Sequence, residues 1–477
     1  MLRSGGGAPA GVRYNIVPFT RGAGIELGLG PEKAFPHFIG VRLIGDKTIP
    51  EGVKAELAVH EWLDTIKSIK PKALDYVFKR VDVPMSAAEE IAHKLLKDGG
   101  HFVIERKVGG LKVFRLHGDR FDAVSTAVAP EGRKTACVVR YGAIGDTIQA
   151  TSILDELKRQ GYHVTWMCEP SGQELLREDP RIDAFFIQDK DQVPNHELGE
   201  FWNVQKLRFD RFVNLCESVE GALIKLPGRS DHRWPHALRH EMCNHNYMEF
   251  TAKLAELPFF PEYHFHETAD ERSWARNRIA DIADQQNKGL QLGMVGKRPF
   301  VIMWALSGSS THKSYPHMDA VIARLLTEIS HAHVLLVGDY ACQILEVGWE
   351  NEPRVHALSG TLEIRKTLAL AKQCDMVIGP ETGVMNAVAF ESMPKILILS
   401  HSSVENLSRD WANTTSLHAD DVPCYPCHQL HYTNEFCPRE EQSHAAMCAF
   451  NVRPAAVWDA IQAAYVGRET VNRILQP

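Results

Sequence analysis

The sequence predicts an α/β protein with two doubly wound parallel sheets in tandem and a smaller α/β segment ahead of them. Three observations carry this. Short apolar runs alternate with helical periodicity from residue 133 onward, the pattern of parallel strands covered by helices. The alternation pauses and restarts near residue 298 with "RPFVIMWAL". The chain of 477 residues also exceeds what one core ordinarily serves. The expected domains are 1–132, 133–290 and 291–477.

In the first segment, "GAGIELGLGP" reads as a strand and a glycine turn, and "FPHFIGVRLI" as a second strand. "SAAEEIAHKLLKDGGHFVIERKV" reads as helix, turn and strand, and "GGLKVFRLHGDRF" extends a sheet edge. The second segment opens with the apolar run "ACVVR", the turn "YGAIGD" and the helical "TSILDELKRQG". Strands follow at "YHVTWMCEP", "DAFFIQD" and "RFVNLCES". "LPGRSDHRWPHALRH" is polar and His-rich, a candidate mobile loop over a site, before the helical "EMCNHNYMEFTAKLAEL". The third segment alternates "RPFVIMWAL", "MDAVIARLLTEIS", "AHVLLVGDY", "TLEIRKTLALAKQ", "CDMVIGPETG", "VMNAVAFES" and "PKILILSHSS", with "PAAVWDAIQAAY" as a closing helix. Two such sheets set ligands beyond the carboxyl ends of their strands and leave a cleft between them.

With 44% hydrophobic and 24% charged residues the composition is that of a soluble globular protein. The net charge of -7 gives no support for non-specific nucleic-acid binding. No apolar run approaches the ~20 residues of a membrane span, and "MLRSGGGAPAGVRYNIV" lacks a signal-peptide core. Ten dispersed cysteines do not read as a secreted disulfide scaffold, and Cys137 and Cys374 are expected as reduced core thiols. The expected compartment is the cytoplasm.

Two turns carry chemistry. In "YGAIGDTIQA", Gly142, Ile144, Gly145 and Thr147 surround Asp146 at the start of a helix. An acid there would repel a phosphate. It suits a base that takes a proton from a hydroxyl, or a carboxylate that the helix dipole stabilises. In "GPETGVMNAVAF", Gly379 and Gly383 bracket Glu381 and Thr382. Backbone N–H groups at that helix start suit a diphosphate, Thr382 adds a hydroxyl, and Glu381 could accept from ribose or sugar hydroxyls. An ordinary strand–helix turn capped by Thr382 reads equally well. The loop "SGSSTHKSYP" adds the hydroxyls of Ser307 and Ser309 and the charge of Lys313, to be weighed against a solvated surface lysine.

These three loops, in this order, resemble glycosyltransferase family nine, the heptosyltransferases, over about residues 133 to 465. The resemblance implies a GT-B fold of two Rossmann-like domains, with a nucleotide-sugar donor in the C-terminal one and the acceptor in the N-terminal one. It implies Asp146 as catalytic base and Lys313 as a contact to donor phosphate. The family's Asp-Thr-Gly turn matches Glu381, Thr382 and Gly383. Two positions depart from the pattern: the family's Asp is Glu381, and its His three residues after the glycine is Asn386. Both are expected to touch the donor, so the resemblance implies sugar transfer without naming the nucleotide-sugar.

The implied reaction is inverting and metal-independent. Asp189 and Asp191 form a D-x-D pattern in the acceptor segment and read as a solvated turn. Cys424, Cys427, Cys437 and Cys448 have zinc-like spacing, with His428 and His431 able to substitute for one of them; packed reduced thiols are the alternative to a structural zinc. The first segment resembles a class I methyltransferase through "GAGIELGLGP" and "LLKDGGHFVI". Gly28 and Gly30 fit a turn under a nucleoside, but Arg42 stands near where an acid would hold the ribose, so a degenerate domain is expected. The expected acceptor is a saccharide such as a lipopolysaccharide-type glycan. The alternatives are a hydroxymethylated base in DNA and a non-catalytic binding scaffold.

Overall fold

The computed structural model describes residues 20, 22–28, 39–41, 69–80, 83, 85–105, 111–124, 132–188, 193, 197–216, 235–288, 297–308, 310–429 and 437–475. They form three sheets, and the chain divides into two compact units. One unit comprises residues 1–138, 161–173 and 182–212, the other 139–160, 174–181 and 213–477.

The first sheet has the order β2-β1-β3-β4-β5-β6. Its strands are β1 (Gly24–Leu27), β2 (Ile39–Val41), β3 (Leu74–Lys79), β4 (Leu96–Glu105), β5 (Leu111–His117) and β6 (Arg120–Val124). The first four pair in parallel, and β5 and β6 add an antiparallel hairpin at one edge. Helix α1 (Met85–Leu95) buries Ala88, Ile91, Ala92 and Leu95, spaced to share one helical face, against Ile25, Val77 and Phe102. At the carboxyl ends of β1, β3 and β4, the buried Arg80 guanidinium lies 2.8 Å from Glu26 and 3.6 Å from Glu105.

The second sheet has the order β10-β7-β8-β9, from β7 (Thr135–Val139), β8 (His163–Cys168), β9 (Ala184–Ile187) and β10 (Arg211–Asn214). The turn after β7 leads into α2 (Ile144–Gln149), a 3-10 turn at Ala150–Ile153 and α3 (Leu154–Arg159), where the sequence shows one helical run. Helices α4 (Pro170–Leu176), α5 (Leu198–Lys206), α6 (His236–Cys243) and α7 (Tyr247–Leu254) follow. Asn246 starts α7 by accepting from the N–H groups of Met248 and Glu249, an N-cap that breaks the helical stretch in two. Most of "LPGRSDHRWPHALRH", along with Gly30, Arg42, Asp189, Asp191, Ser309 and His431, lies outside the described residues.

The third sheet is six parallel strands in the order β13-β12-β11-β14-β15-β16. They are β11 (Phe300–Ala305), β12 (Ala332–Val337), β13 (Val355–Ala357), β14 (Met376–Pro380), β15 (Lys395–Ile398) and β16 (Thr414–Leu417). β11, β12, β14 and β15 are buried along their whole lengths, which is why they read as largely apolar runs. Helices α8 (Ala269–Lys288), α9 (Met318–Glu328), α10 (Ile364–Ala371), α11 (Gly383–Ala387), α12 (Met447–Phe450) and α13 (Pro454–Leu475) belong to the same unit. Ile322 and Leu325 of α9 and Trp458 and Ile461 of α13 pack on Trp304 and Ile378. The chain runs from β11 outward through β12 to β13, then returns to β14 beside β11 and runs the other way. The switch point between β11 and β14 is where an open sheet of this kind takes its ligand.

Candidate active site

The switch point is built from closely packed backbone. A Cβ on Gly379 would lie 2.8 Å from Ala305 Cβ, so β14 approaches β11 only with glycine there. Beyond β11, Ser307 Oγ accepts from Ser314 Oγ at 3.1 Å and donates to Ser310 O. The loop folds into a 3-10 turn at Thr311–Lys313. It carries Lys313 back across the carboxyl ends of the strands, where Nζ donates to Glu381 O at 3.0 Å. The lysine is 6% exposed, so the surface-lysine alternative is replaced by a buried cation at the switch point.

Glu381 has partners other than the sugar hydroxyls expected for it. Its carboxylate accepts from Ser400 N (2.9 Å), Ser400 Oγ (2.8 Å) and Ser402 N (3.0 Å), and lies 2.6 Å from His401 Nδ1. Burial alone would raise its pKa. The His401 pair, Lys313 and the hydrogen bonds outweigh burial and hold the group far below the ordinary carboxylate range. The carboxylate therefore organises the loop after β15. Thr382 caps α11, its hydroxyl accepting from Met385 N, as the ordinary-turn reading expects.

Asp146 sits in the first turn of α2, with its side chain 26% exposed. Behind it lies Arg140, 2% exposed, whose Nη2 is 3.0 Å from Asp146 Oδ2. Gly142 precedes the helix with φ 110°, a conformation that favours glycine. Thr147 is buried. A small open pocket beside the carboxylate is lined by Arg140, Asp146, Gln149, Leu215, Tyr247 and Thr251.

The two glycine turns meet. A Cβ on Gly145 would lie 2.7 Å from Asn386 Nδ2, and one on Gly383 would lie 2.6 Å from Ile144 Cγ2. The second glycine of "GAIGD" is thus required by the neighbouring helix. Asn386 itself is buried and bonded to Gln149 (2.8 Å), Tyr263 (3.0 Å) and Thr382 O (2.9 Å), rather than directed outward to a donor.

Cys424, Cys427, Cys437 and Cys448 line one small cavity together with His312 and His401. Cys424, Cys427, Cys437 and Cys448 are free thiols. Burial pushes Cys427 up to about 12 and Cys437 to about 11, and the neighbouring thiols add to both shifts. Among the described residues, no group of three or more His, Cys, Asp or Glu is placed to hold a metal ion. Nor is any described helix long and apolar enough to cross a membrane.

Arg140, Gln149, Tyr263, Ser400 and His401 were not singled out in the sequence. A signal existed only for Arg140, a lone cation ending the buried run "ACVVR".

No protein-family model and no curated protein matches the chain in sequence. Solved structures align with it in three dimensions. The structure of Escherichia coli ADP-heptose lps heptosyltransferase II aligns at 14% identity and a TM-score of 0.47, covering 70% of this chain and 99% of that one. A glycosyl transferase family 9 protein from Veillonella parvula aligns at 14% identity and a TM-score of 0.49, covering 70% and 97%. The iron-containing dodecameric glycosyltransferase TibC from enterotoxigenic Escherichia coli aligns at 12% identity and a TM-score of 0.44, covering 75% and 83%.

Proposed function

We propose that this chain is an inverting glycosyltransferase that moves a sugar from a nucleotide-sugar to a hydroxyl acceptor. The carrying observation is the packing of the Asp146 turn directly on the Glu381–Thr382–Gly383 turn at the switch point of a parallel sheet. A carboxylate and a diphosphate cradle in contact are what direct displacement at an anomeric carbon requires.

In this reading the donor diphosphate lies over the ends of β11 and β14. Backbone N–H groups and the Lys313 ammonium balance the charge that grows on it as it leaves. The acceptor hydroxyl enters the cavity lined by Tyr247 and Thr251, gives its proton to Asp146, and attacks the anomeric carbon from the face opposite the diphosphate. Arg140 pairs with Asp146 Oδ2, which leaves Oδ1 to meet the acceptor. Glu381 and Asn386 hold the turn in shape. Because the diphosphate is met by protein groups, the chemistry asks for no catalytic metal.

A saccharide acceptor is favoured over DNA by the net charge of -7. The first domain is a degenerate methyltransferase-like module in which Arg80 and its two glutamates occupy the carboxyl ends of β1, β3 and β4. The four cysteines near one cavity are packed reduced thiols. A panel of ADP-, GDP- and UDP-sugars, assayed for hydrolysis and thermal shift, tests the reading. Turnover of at least one member is expected, and inertness towards all of them would sink it.

A further inference from the structure

Asn386, Gln149 and Tyr263 form a buried polar joint between the two turns. Asn386 Oδ1 accepts from Gln149 Nε2 at 2.8 Å and from Tyr263 OH at 3.0 Å. Its Nδ2 donates to Thr382 O at 2.9 Å. All three side chains are buried, with Tyr263 at 1% exposure and Asn386 and Gln149 at 6% and 6%. Burial pushes the Tyr263 hydroxyl well above its ordinary pKa, so it is a neutral donor.

Packing alone does not call for these residues. Apolar side chains would fill the same space without the desolvation cost of three buried polar groups. A satisfied polar network adds direction, because each bond holds over a narrow range of distance and angle. Gln149 lies three residues after Asp146, so the two share one face of α2. Thr382 begins α11, the helix of the diphosphate turn. The joint therefore runs from the base-bearing helix to the donor-bearing helix. Gly145 and Gly383 remove the two Cβ atoms that would hold these helices apart.

We infer that Asn386, Gln149 and Tyr263 are positioning residues: they fix the distance from Asp146 to the reacting carbon of a donor seated on the Glu381–Thr382–Gly383 turn. The inference rests on the sugar-transfer reading above. It assigns Asn386 to the joint and leaves donor affinity to other groups.

The test separates turnover from binding. Gly145→Ala forces a methyl against Asn386 without removing any polar group, and Gln149→Leu removes one arm. With the panel nucleotide-sugar that the wild type turns over fastest, each is expected to lower kcat by roughly 10- to 100-fold, the scale of a misplacement near 1 Å. The Kd for that nucleotide-sugar should stay within about threefold. Tyr263→Phe removes a single hydroxyl and keeps the fold. It should lower kcat by roughly three- to tenfold. Hydrogen exchange gives a readout independent of activity: amides of residues 144–149 should exchange faster in Asn386→Leu and Gln149→Leu than in the wild type. Wild-type kcat and unchanged exchange in Gln149→Leu and Tyr263→Phe would overturn the joint while leaving sugar transfer standing. So would an Asn386→Leu variant whose only defect is weaker binding of the nucleotide-sugar. A wild type inert to the whole panel would instead remove the sugar-transfer reading, and the inference with it.

Discussion

Glu381→Gln tests whether the buried carboxylate holds the end of the third sheet together. The substitution keeps the shape and removes the charge. The amide oxygen can still accept from Ser400 N and Ser402 N, which both bond Oε1. The amide nitrogen replaces Oε2, which now faces Ser400 Oγ and the His401 ring at 2.6 Å. Breaking a buried pair by removing one partner costs about 3–5 kcal/mol, and the two retained bonds place this case near the lower end, at about 3 kcal/mol. The pH dependence follows from linkage. Glu381 is held below the ordinary 4.5, so the carboxylate contributes stability above the unfolded-state value and loses it as pH falls below that value. The deficit of the variant should therefore be full at neutral pH and shrink progressively below about pH 4.5. The assay is urea denaturation at several pH values, read on the transition that unfolds the Trp304 core, because a chain of this length unfolds in more than one step. A variant within about 0.5 kcal/mol of the wild type at neutral pH would refute the reasoning, since that is the size of an unremarkable surface substitution.

Other outcomes are expected from the same geometry. EDTA should leave the initial rate of sugar transfer unchanged, and a strict Mg²⁺ or Mn²⁺ requirement would return attention to Asp189 and Asp191. Metal analysis of the chain purified without chelator should give well under one zinc per chain. Stoichiometric zinc whose removal lowers stability would make the Cys424–Cys448 region a structural metal site. Calorimetry with S-adenosylmethionine should show no binding at micromolar concentrations, because Arg80 is paired with Glu26 and Glu105 at the carboxyl ends of β1, β3 and β4. Micromolar affinity would overturn the reading of the first segment as a degenerate module.

The elements that the sequence revealed are those whose burial is complete. β11 is apolar throughout and β12 and β15 are nearly so, with His333 and Lys395 the exceptions, because both faces are covered, so they stand out against the helices between them. Helix α8 did not stand out. Of its twenty residues only Glu271, Ala275, Ile282 and Gln286 are buried, so it has no apolar stripe. It is held instead by Arg365, which clasps both oxygens of Glu271 at 2.7 Å. β13 and β16 are edge strands of only three and four residues, too short for a run to stand out, and β16 has a single apolar residue. In the candidate site, glycine spacing marked both turns, because close backbone approach can be read from residue type. The direction of a polar side chain cannot. Glu381 meets donors 19 and 21 residues onward, while Asn386 meets Gln149 from 237 residues away and Tyr263 from 123. Only the folded chain brings these groups together, which is why a residue expected to face the donor proved to face inward.

The central claim is that Asp146 accepts the acceptor's proton, and Asp146→Asn tests it most directly. The amide keeps the size of the side chain and can still meet Arg140, so the turn and the donor cradle should persist. The measurement is single-turnover transfer from the best nucleotide-sugar of the panel, alongside its Kd. The account predicts an unchanged Kd with transfer slowed by roughly 10²–10⁴-fold, the contribution of a lost general base. Near-wild-type transfer by the Asp146→Asn protein would contradict it.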